Sequence, residues 1–341
     1  MIDSAAHRLI IALTLLTIPL TACAPAMLVE SATGPASLRP GGGYTAADVT
    51  APPSTERVTD HVIIISIDGL RPDAIERFGA RTLQRLIRDG SHTLTARTIT
   101  PSRTLPSHAS MITGVEPADH GITWNDNQVA EHGLVKVPTI FSLARERGYH
   151  TAAFFSKGKF AHLLLPGSVD HAFLPRGDGK WLGGKVADAA RSYLESERPN
   201  LLFVHFAEPD YAGHLLGWMS SPYGWAVRRA DQAVGSILES AEKAFGNGNY
   251  TVIVTADHGG HGRTHGSTAE SDMQIPWIVW GRGVRGGAVV AGPVDTTDTA
   301  ATALWLLGVA EPASYSGRAV GSAFENAPAA GSRAAVESMH P

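Results

Sequence analysis

Three short segments constrain the fold of this chain more than any other feature. Val62 to Ile67, Leu201 to Phe206 and Thr251 to Thr255 are nearly continuous runs of apolar or β-branched residues. That is the pattern of strands buried on both faces of a parallel sheet. Helical patterns fall between such runs, so the chain reads as an α/β protein built from βαβ units, with a largely parallel central sheet and helices on both faces. Weaker strands are predicted at Thr151 to Phe155 and Ile275 to Trp280. Helices are predicted at Thr82 to Arg88, Thr139 to Arg147, Lys185 to Glu197, Trp225 to Phe245 and Thr297 to Leu307. Gly90, Gly148 and Gly246 stand just past three of these, where helix C-termini favour glycine.

Each of the three runs leads straight into acid: Ser66-Ile67-Asp68-Gly69, Ala207-Glu208-Pro209-Asp210 and Thr255-Ala256-Asp257-His258. Ligands of open α/β sheets bind at the carboxyl ends of the strands, so side chains distant in sequence can converge there. One such Asp reads as a turn or helix cap; three together point to a site. His214 follows Asp210 by one helical turn, with Gly213 leaving room for the backbone. Asp257 and His258 adjoin in a turn marked by Gly259 and Gly260, and His265 follows in a second glycine-rich turn. Carboxylates and imidazoles without thiols suit Zn²⁺, Mn²⁺ or Fe²⁺, zinc being commonest for hydrolysis. The lone cysteine, Cys23, excludes both a disulfide framework and a Cys-rich zinc site.

A formal net charge of -4 gives no reason to expect a polyanion-binding surface and argues against a nucleic-acid scaffold partner. A small phosphate ester needs only the local field that bound metal ions supply. At the start of the chain, His7 and Arg8 precede an apolar run from Leu9 to Leu20, which has the length of a signal-peptide core and is short for a membrane span. Leu20-Thr21-Ala22-Cys23 resembles a bacterial lipobox, which implies cleavage before Cys23, a lipid anchor on its sulfur and residence in the cell envelope. Ala24 after the cysteine favours the outer membrane by the same resemblance. A plain secretory signal cleaved near Ala22 or Ala24 is the alternative. The organisation expected is a lipoprotein signal peptide over 1–22, a flexible Pro/Gly/Ala-rich tether over 23–60, a catalytic domain over 61–325 and a disordered tail over 326–341.

In Thr100-Pro101-Ser102-Arg103-Thr104-Leu105-Pro106-Ser107-His108, Pro106 suits the first turn of a helix and places Thr104 at its N-terminus. Free amides and the helix dipole there favour an anion. The segment alone does not separate a nucleophile from a helix cap. His108, inside that helix, reads as structural.

The motifs Ile67-Asp68-Gly69, Arg103-Thr104-Leu105-Pro106-Ser107-His108, Thr113-Gly114 through Gly121-Ile122, Glu208-Pro209-Asp210-Tyr211-Ala212-Gly213-His214, Ala256-Asp257-His258-Gly259 and His265-Gly266 occur in this order. Through them the chain resembles the alkaline phosphatase superfamily, specifically the type I phosphodiesterase and nucleotide pyrophosphatase family, over about Val62 to Gly321. The resemblance implies a three-layer alkaline-phosphatase-like fold and two divalent metal ions, zinc by preference. One ion would be held by Asp210, His214 and His265. The other would be held by Asp68, Asp257 and His258, next to Thr104. It implies a Thr104 nucleophile, a covalent phospho-threonine intermediate and a small phosphate-ester substrate. Asn125, 21 residues beyond Thr104, would donate to a non-bridging phosphate oxygen; an Asx turn is the alternative reading. His261 competes with His265, which is preferred because its surroundings resemble the family's passage into the next strand. Sulfatases share the fold, but their nucleophile derives from Cys or Ser, and Thr cannot become formylglycine.

A diesterase is the leading expectation. The alternative is a phosphomonoesterase in which Lys157 and Lys159 bind the phosphate, in the manner of the paired basic residues of some Thr-dependent monoesterases. Against it, both lysines also read as solvated surface charges. A phosphotransferase and a non-catalytic binding protein are further alternatives. Trp124, Trp181, Tyr211, Trp218, Tyr223 and Trp225 either stack on a leaving group or pack in the core, packing being favoured for each.

Overall fold

Eight strands form one sheet: β1 (Val62–Ile67), β2 (Ser91–Arg97), β3 (Thr151–Phe154), β4 (His171–Phe173), β5 (Leu201–Phe206), β6 (Thr251–Thr255), β7 (Gln274–Gly281) and β8 (Ala288–Val289). The computed structural model describes residues 57–325. The expected lipobox, signal peptide and tail, and the tether up to residue 56, lie outside the described residues.

The spatial order is β4-β3-β5-β1-β6-β7-β2-β8. Side chains of β1, β5 and β6 are all buried, as their apolar runs require. β1 pairs in parallel with β5 on one side and β6 on the other, with Ile67 opposite Phe206 and Ser66 opposite Thr255. The three strand ends that carry acidic residues are therefore neighbours. β7 runs antiparallel to both β6 and β2, the exception in a largely parallel sheet. The periodicity of Ile275 to Trp280 identifies a strand but carries no information on direction. β2 escaped the sequence reading because Ser91-His92-Thr93-Leu94-Thr95 mixes polar residues into the run; Ser91, Thr93 and Ala96 are nonetheless buried, with a register shift between Thr93 and Ala96.

The helices form two sets. Helices 72–77, 81–89, 183–197, 208–216 and 221–245 pack together, as do helices 104–113, 117–120, 140–146 and 298–306, and both sets contact the sheet. Local chemistry fixes their ends. Ser220 accepts the amide of Tyr223 at the start of the longest helix, with Pro222 in its first turn and Gly246 closing it. Asp231 on that helix accepts the amides of Thr82 and Leu83, at 3.1 and 2.8 Å, and so caps the neighbouring helix Arg81–Asp89 from outside. Thr139 and Ser142 form a reciprocal capping box at the start of Ile140–Glu146.

Candidate active site

The site begins where β1 ends. The amide of Asp68 donates to Phe206 O (2.9 Å) and that of Asp210 to Asp68 O (3.0 Å), so the chains leaving β1 and β5 are tied backbone to backbone. Gly69 lies between them in the left-handed region, at φ +70°, and a Cβ there would come within 3.0 Å of the Asp210 Cα. Its amide donates to Asp257 Oδ1 at 3.1 Å, joining the end of β6 to the same point. Trp218 wedges behind the knot, its indole Nε1 donating to Gly69 O at 3.0 Å. A Cβ at Gly213 or Gly260 would strike that ring, at 2.6 and 2.2 Å. The space that Gly213 provides thus serves Trp218.

Two groups of ligand-type atoms result, each confined within 4.8 Å: Asp210, His214 and His265, and Asp68, Asp210 and His258. The first comprises three residues expected together. In the second, Asp210 is the third member, and Asp257 stands just outside, with Oδ2 at 3.3 Å from His258 Nε2. The other oxygen of Asp257 is occupied by the amides of Gly69 and His258. His265 Nε2 lies 3.6 Å from Asp210 Oδ1, whereas His261 pairs with Asp272 at 2.7 Å, away from the cluster. Asp68 Oδ1, Asp210 Oδ1 and Asp257 Oδ2 are buried and accept no hydrogen bond among the described residues. Buried carboxylate oxygens left unpaired are costly, and imidazole nitrogens stand beside these. The donor set therefore fits divalent cations of the zinc type.

Thr104 is the first residue of helix Thr104–Thr113, which Arg103 precedes in extended conformation. Its Oγ1 lies 3.4 Å from His258 Nε2. The expected cradle of free helix amides is smaller than the sequence suggested. The Leu105 amide donates to Asn125 Oδ1 at 2.9 Å, Pro106 has none, and that of Ser107 donates to Arg103 O. Asn125 caps the helix in their place. Lys159 Nζ donates to the same Oδ1, also at 2.9 Å. With two donors on the oxygen, the amide orientation follows from the network, and the Nδ2 donors of Asn125 remain for another acceptor.

Lys157 is not the solvated surface charge that one reading of the sequence allowed. It is buried, with Nζ 2.6 Å from Asp68 Oδ2 and 2.7 Å from Asp210 Oδ2. It is the counter-charge for two carboxylates that burial would otherwise protonate. Burial pushes Asp68 upward, but Lys157, His205 and His258 outweigh it and hold the carboxyl well below the usual range. Asp210 is likewise held low against burial and the charge of Asp68, chiefly by Lys157 and then His214. Burial, reinforced by Asp68, raises Asp257 to about 7. Burial and then the charge of Lys157 lower Lys159 to about 8.

His205 was missed. Its Nε2 meets Asp68 Oδ2 at 2.9 Å, and its Nδ1 accepts the Ser156 amide at 3.3 Å, so the proton on Nε2 faces the carboxylate. A histidine one residue from the end of an otherwise apolar, fully buried strand was the available signal. His108 holds Ser66 Oγ and Thr104 O, each at 2.8 Å, the structural position expected of it.

A cavity of about 760 Å³ opens over this assembly, lined by Thr104, Asn125, Lys157, Lys159, Asp210, Tyr211, His214 and His265 together with Asp126, Asp178 and Lys180. Of the aromatic residues considered from sequence, Tyr211 alone lines it; Trp218 and Tyr223 are buried in the core, and Trp225 faces solvent. Asp68, Asp257 and His258 lie beneath the floor, fully buried.

The sheet thus carries carboxylates and imidazoles at three adjacent strand ends around a helix-initiating threonine. Residues 62–266 match the model of the type I phosphodiesterase / nucleotide pyrophosphatase family, and the chain belongs to that family. Human ectonucleotide pyrophosphatase/phosphodiesterase family member 1 is 24% identical over 222 residues, covering 59% of this chain and 24% of the relative. The venom phosphodiesterase of Macrovipera lebetinus is 24% identical over 218 residues, covering 58% and 25%. The chain thus spans about a quarter of the length of these curated relatives. Among solved structures, murine ectonucleotide pyrophosphatase/phosphodiesterase 5 in complex with AMP superposes with a TM-score of 0.63 at 16% identity, over 74% of this chain and 96% of that one. The alkaline phosphatase PafA superposes with a TM-score of 0.67 at 13% identity, over 78% and 99%. At these identities the superpositions show a common fold.

Proposed function

We propose that the chain is a metal-dependent phosphoric ester hydrolase in which Thr104 is the nucleophile. The observation that carries this reading is the convergence on one cavity of Thr104, Asn125 and the group Asp210, His214 and His265. Two divalent cations, zinc by the donor set, would be held by Asp210, His214 and His265 and by Asp68, Asp257 and His258, with Asp210 close to both. When bound, such ions supply Lewis-acid charge at the phosphate and make a hydroxyl more acidic. Thr104 Oγ1 gives up its proton to solvent and forms the new bond to phosphorus as the bond to the leaving oxygen breaks; that oxygen takes a proton from water, and a second water later hydrolyses the phospho-threonine, releasing the phosphoryl product and restoring the Thr104 hydroxyl. Asn125 Nδ2 donates to a non-bridging oxygen as its charge grows, an orientation set by Lys159 and the Leu105 amide. Lys157 keeps Asp68 and Asp210 ionised and poised as ligands.

Family membership favours diesters. A specific observation favours the phosphomonoesterase reading beside it: Lys159 shares Asn125 Oδ1, so its charge lies at the wall where the oxygens of a monoester, richer in negative charge, would sit. Purified enzyme assayed on an aryl phosphate monoester and the matching diester, with metal analysis, tests both. About two metals per chain and turnover of at least one ester are expected. A metal-free chain active on neither overturns the proposal. We also propose export and lipid attachment at Cys23, supported by residues 7–23. Incorporation of labelled fatty acid that persists in Cys23→Ser would refute the attachment.

A further inference from the structure

Asn125 belongs to no regular element. It lies in the stretch between helices 117–120 and 129–132, and a loop amide must be held by something if it is to meet a transition state reproducibly. The side chain that holds this loop is His162. Its Nε2 accepts two N–H groups from either side of Asn125, the Trp124 indole at 3.2 Å and the Gln128 amide at 2.9 Å. Its Nδ1 lies 2.6 Å from the O of Gly133, which closes the short helix 129–132 that follows the loop. Because both partners of Nε2 are donors, the proton sits on Nδ1 and donates to Gly133, which fixes a neutral imidazole in one tautomer. Burial lowers the His162 pKa below the ordinary value, in keeping with that form.

The imidazole is itself anchored to the nucleophile. His162 and Lys159 share the 3-10 turn Gly158–Leu163, so the group that bonds Asn125 Oδ1 and the group that bonds its neighbours are carried by one piece of backbone. Phe160 on the same turn is fully buried, stacked on Phe155 at 4.7 Å and edge-on to His108 at 4.6 Å. His108 in turn holds Thr104 O. A continuous path of packed and hydrogen-bonded groups thus runs from the nucleophile helix through the turn to both sides of Asn125. Trp124 is steadied on its other side by stacking against His132 at 4.4 Å.

We propose that His162 is a positioning residue that sets Asn125 against the start of the nucleophile helix. It rests on the role proposed above for Asn125 and goes beyond it, since His162 does not line the cavity. Alanine at 162 removes the common acceptor of Trp124 and Gln128. Glutamine at 162 keeps an acceptor oxygen at the position of Nε2.

Full-length protein carrying His162→Ala, His162→Gln, Asn125→Ala or the Ala pair is to be assayed on p-nitrophenyl phosphate and on bis(p-nitrophenyl) phosphate, with metal content measured. Amide hydrogen exchange is followed at Gln128 and Leu105. In His162→Ala, exchange accelerates at both amides, kcat falls roughly tenfold to a hundredfold and metal content is unchanged. The loss vanishes in the Asn125→Ala background, because the two residues act as one unit. His162→Gln restores kcat to within a few-fold. Unchanged exchange at Leu105, or full additivity with Asn125→Ala, overturns the proposal. Faster exchange at Leu105 with an Asn125→Ala enzyme as active as the parent supports the positioning and removes instead the functional role given to Asn125.

Discussion

The two sides of the cavity are built differently. On one side, Asp68, Asp210, Asp257 and His258 project from just beyond the ends of adjacent parallel strands, whose hydrogen bonds fix their backbone, and His214 projects from the helix that follows β5. On the other, Asn125 and Lys159 come from a loop and a 3-10 turn and hold each other in place. Lys157 bridges the two, its backbone on the loop side and its ammonium between the strand-end carboxylates. The strand side concentrates buried charge on a rigid frame, where the Lys157 ammonium offsets the carboxylates of Asp68 and Asp210. The loop side supplies directed donors and can be altered without disturbing the sheet. Rigid scaffolds carrying adaptable loops are how one fold supports several ester chemistries.

This contrast is easiest to break at the point where the two sides meet. Thr104→Ala is expected to lower turnover by about 10³-fold or more while leaving metal content and thermal stability near those of the parent; residual turnover within tenfold of the parent would remove Thr104 from the chemistry. On the strand side, Trp218→Ala leaves the space between Gly213 and Gly260 empty and removes one of two donors to Gly69 O, the other being the Tyr223 hydroxyl at 2.9 Å. It should cost about 3–5 kcal/mol in denaturant unfolding, together with weaker metal binding, and a cost below about 1 kcal/mol would deny that Trp218 braces the knot. On the loop side, Lys159→Ala should reduce kcat/KM for a monoester by roughly tenfold to a hundredfold and for a diester by much less, at unchanged stability. Equal losses on both esters would make Lys159 a support for Asn125 alone.

The smallest effect lies away from the candidate metal ligands. His120 is buried, accepts the Ile122 amide at Nδ1 (3.0 Å), and burial lowers its pKa from 6.5 to about 4. The unfolded chain therefore binds a proton that the folded chain refuses between those two values, so stability falls as pH drops below 6.5 and the loss levels off below 4. Its contribution is about 2 kcal/mol between pH 7 and pH 5. Unfolding free energies of the parent and His120→Gln, compared at the two pH values, should differ in slope in that sense; parallel curves would contradict it.

The legibility of the two sides differs for the same reason. Strand ends are readable because burial on both faces imposes a continuous apolar run, and a run that stops at Asp is conspicuous. Asp68, Asp210 and Asp257 stood out this way, and their convergence followed from the rule that ligands gather at carboxyl ends of parallel strands. Lys157 was ambiguous because a Ser-Lys-Gly-Lys turn looks the same in sequence whether its lysines face water or a buried carboxylate pair. His205 and His162 went unnoticed because their meaning lies in partners 137 residues away, for His205 with Asp68, and 34 or 38 residues away, for His162 with Gln128 and Trp124.

By itself the sequence determined the strand-rich α/β character, the acids and histidines at the strand ends, and the placing of Thr104 at a helix start, because each is a local pattern imposed by backbone geometry or burial. Only the tertiary structure decided that β7 runs antiparallel, that Asp210 stands near both ligand groups, that Lys157 is a buried counter-charge, and that Asn125 in place of free amides caps the helix that begins at Thr104. Those outcomes depend on which groups satisfy one another's charge and hydrogen bonds across the fold, and pairing at a distance leaves no periodic trace in a single chain.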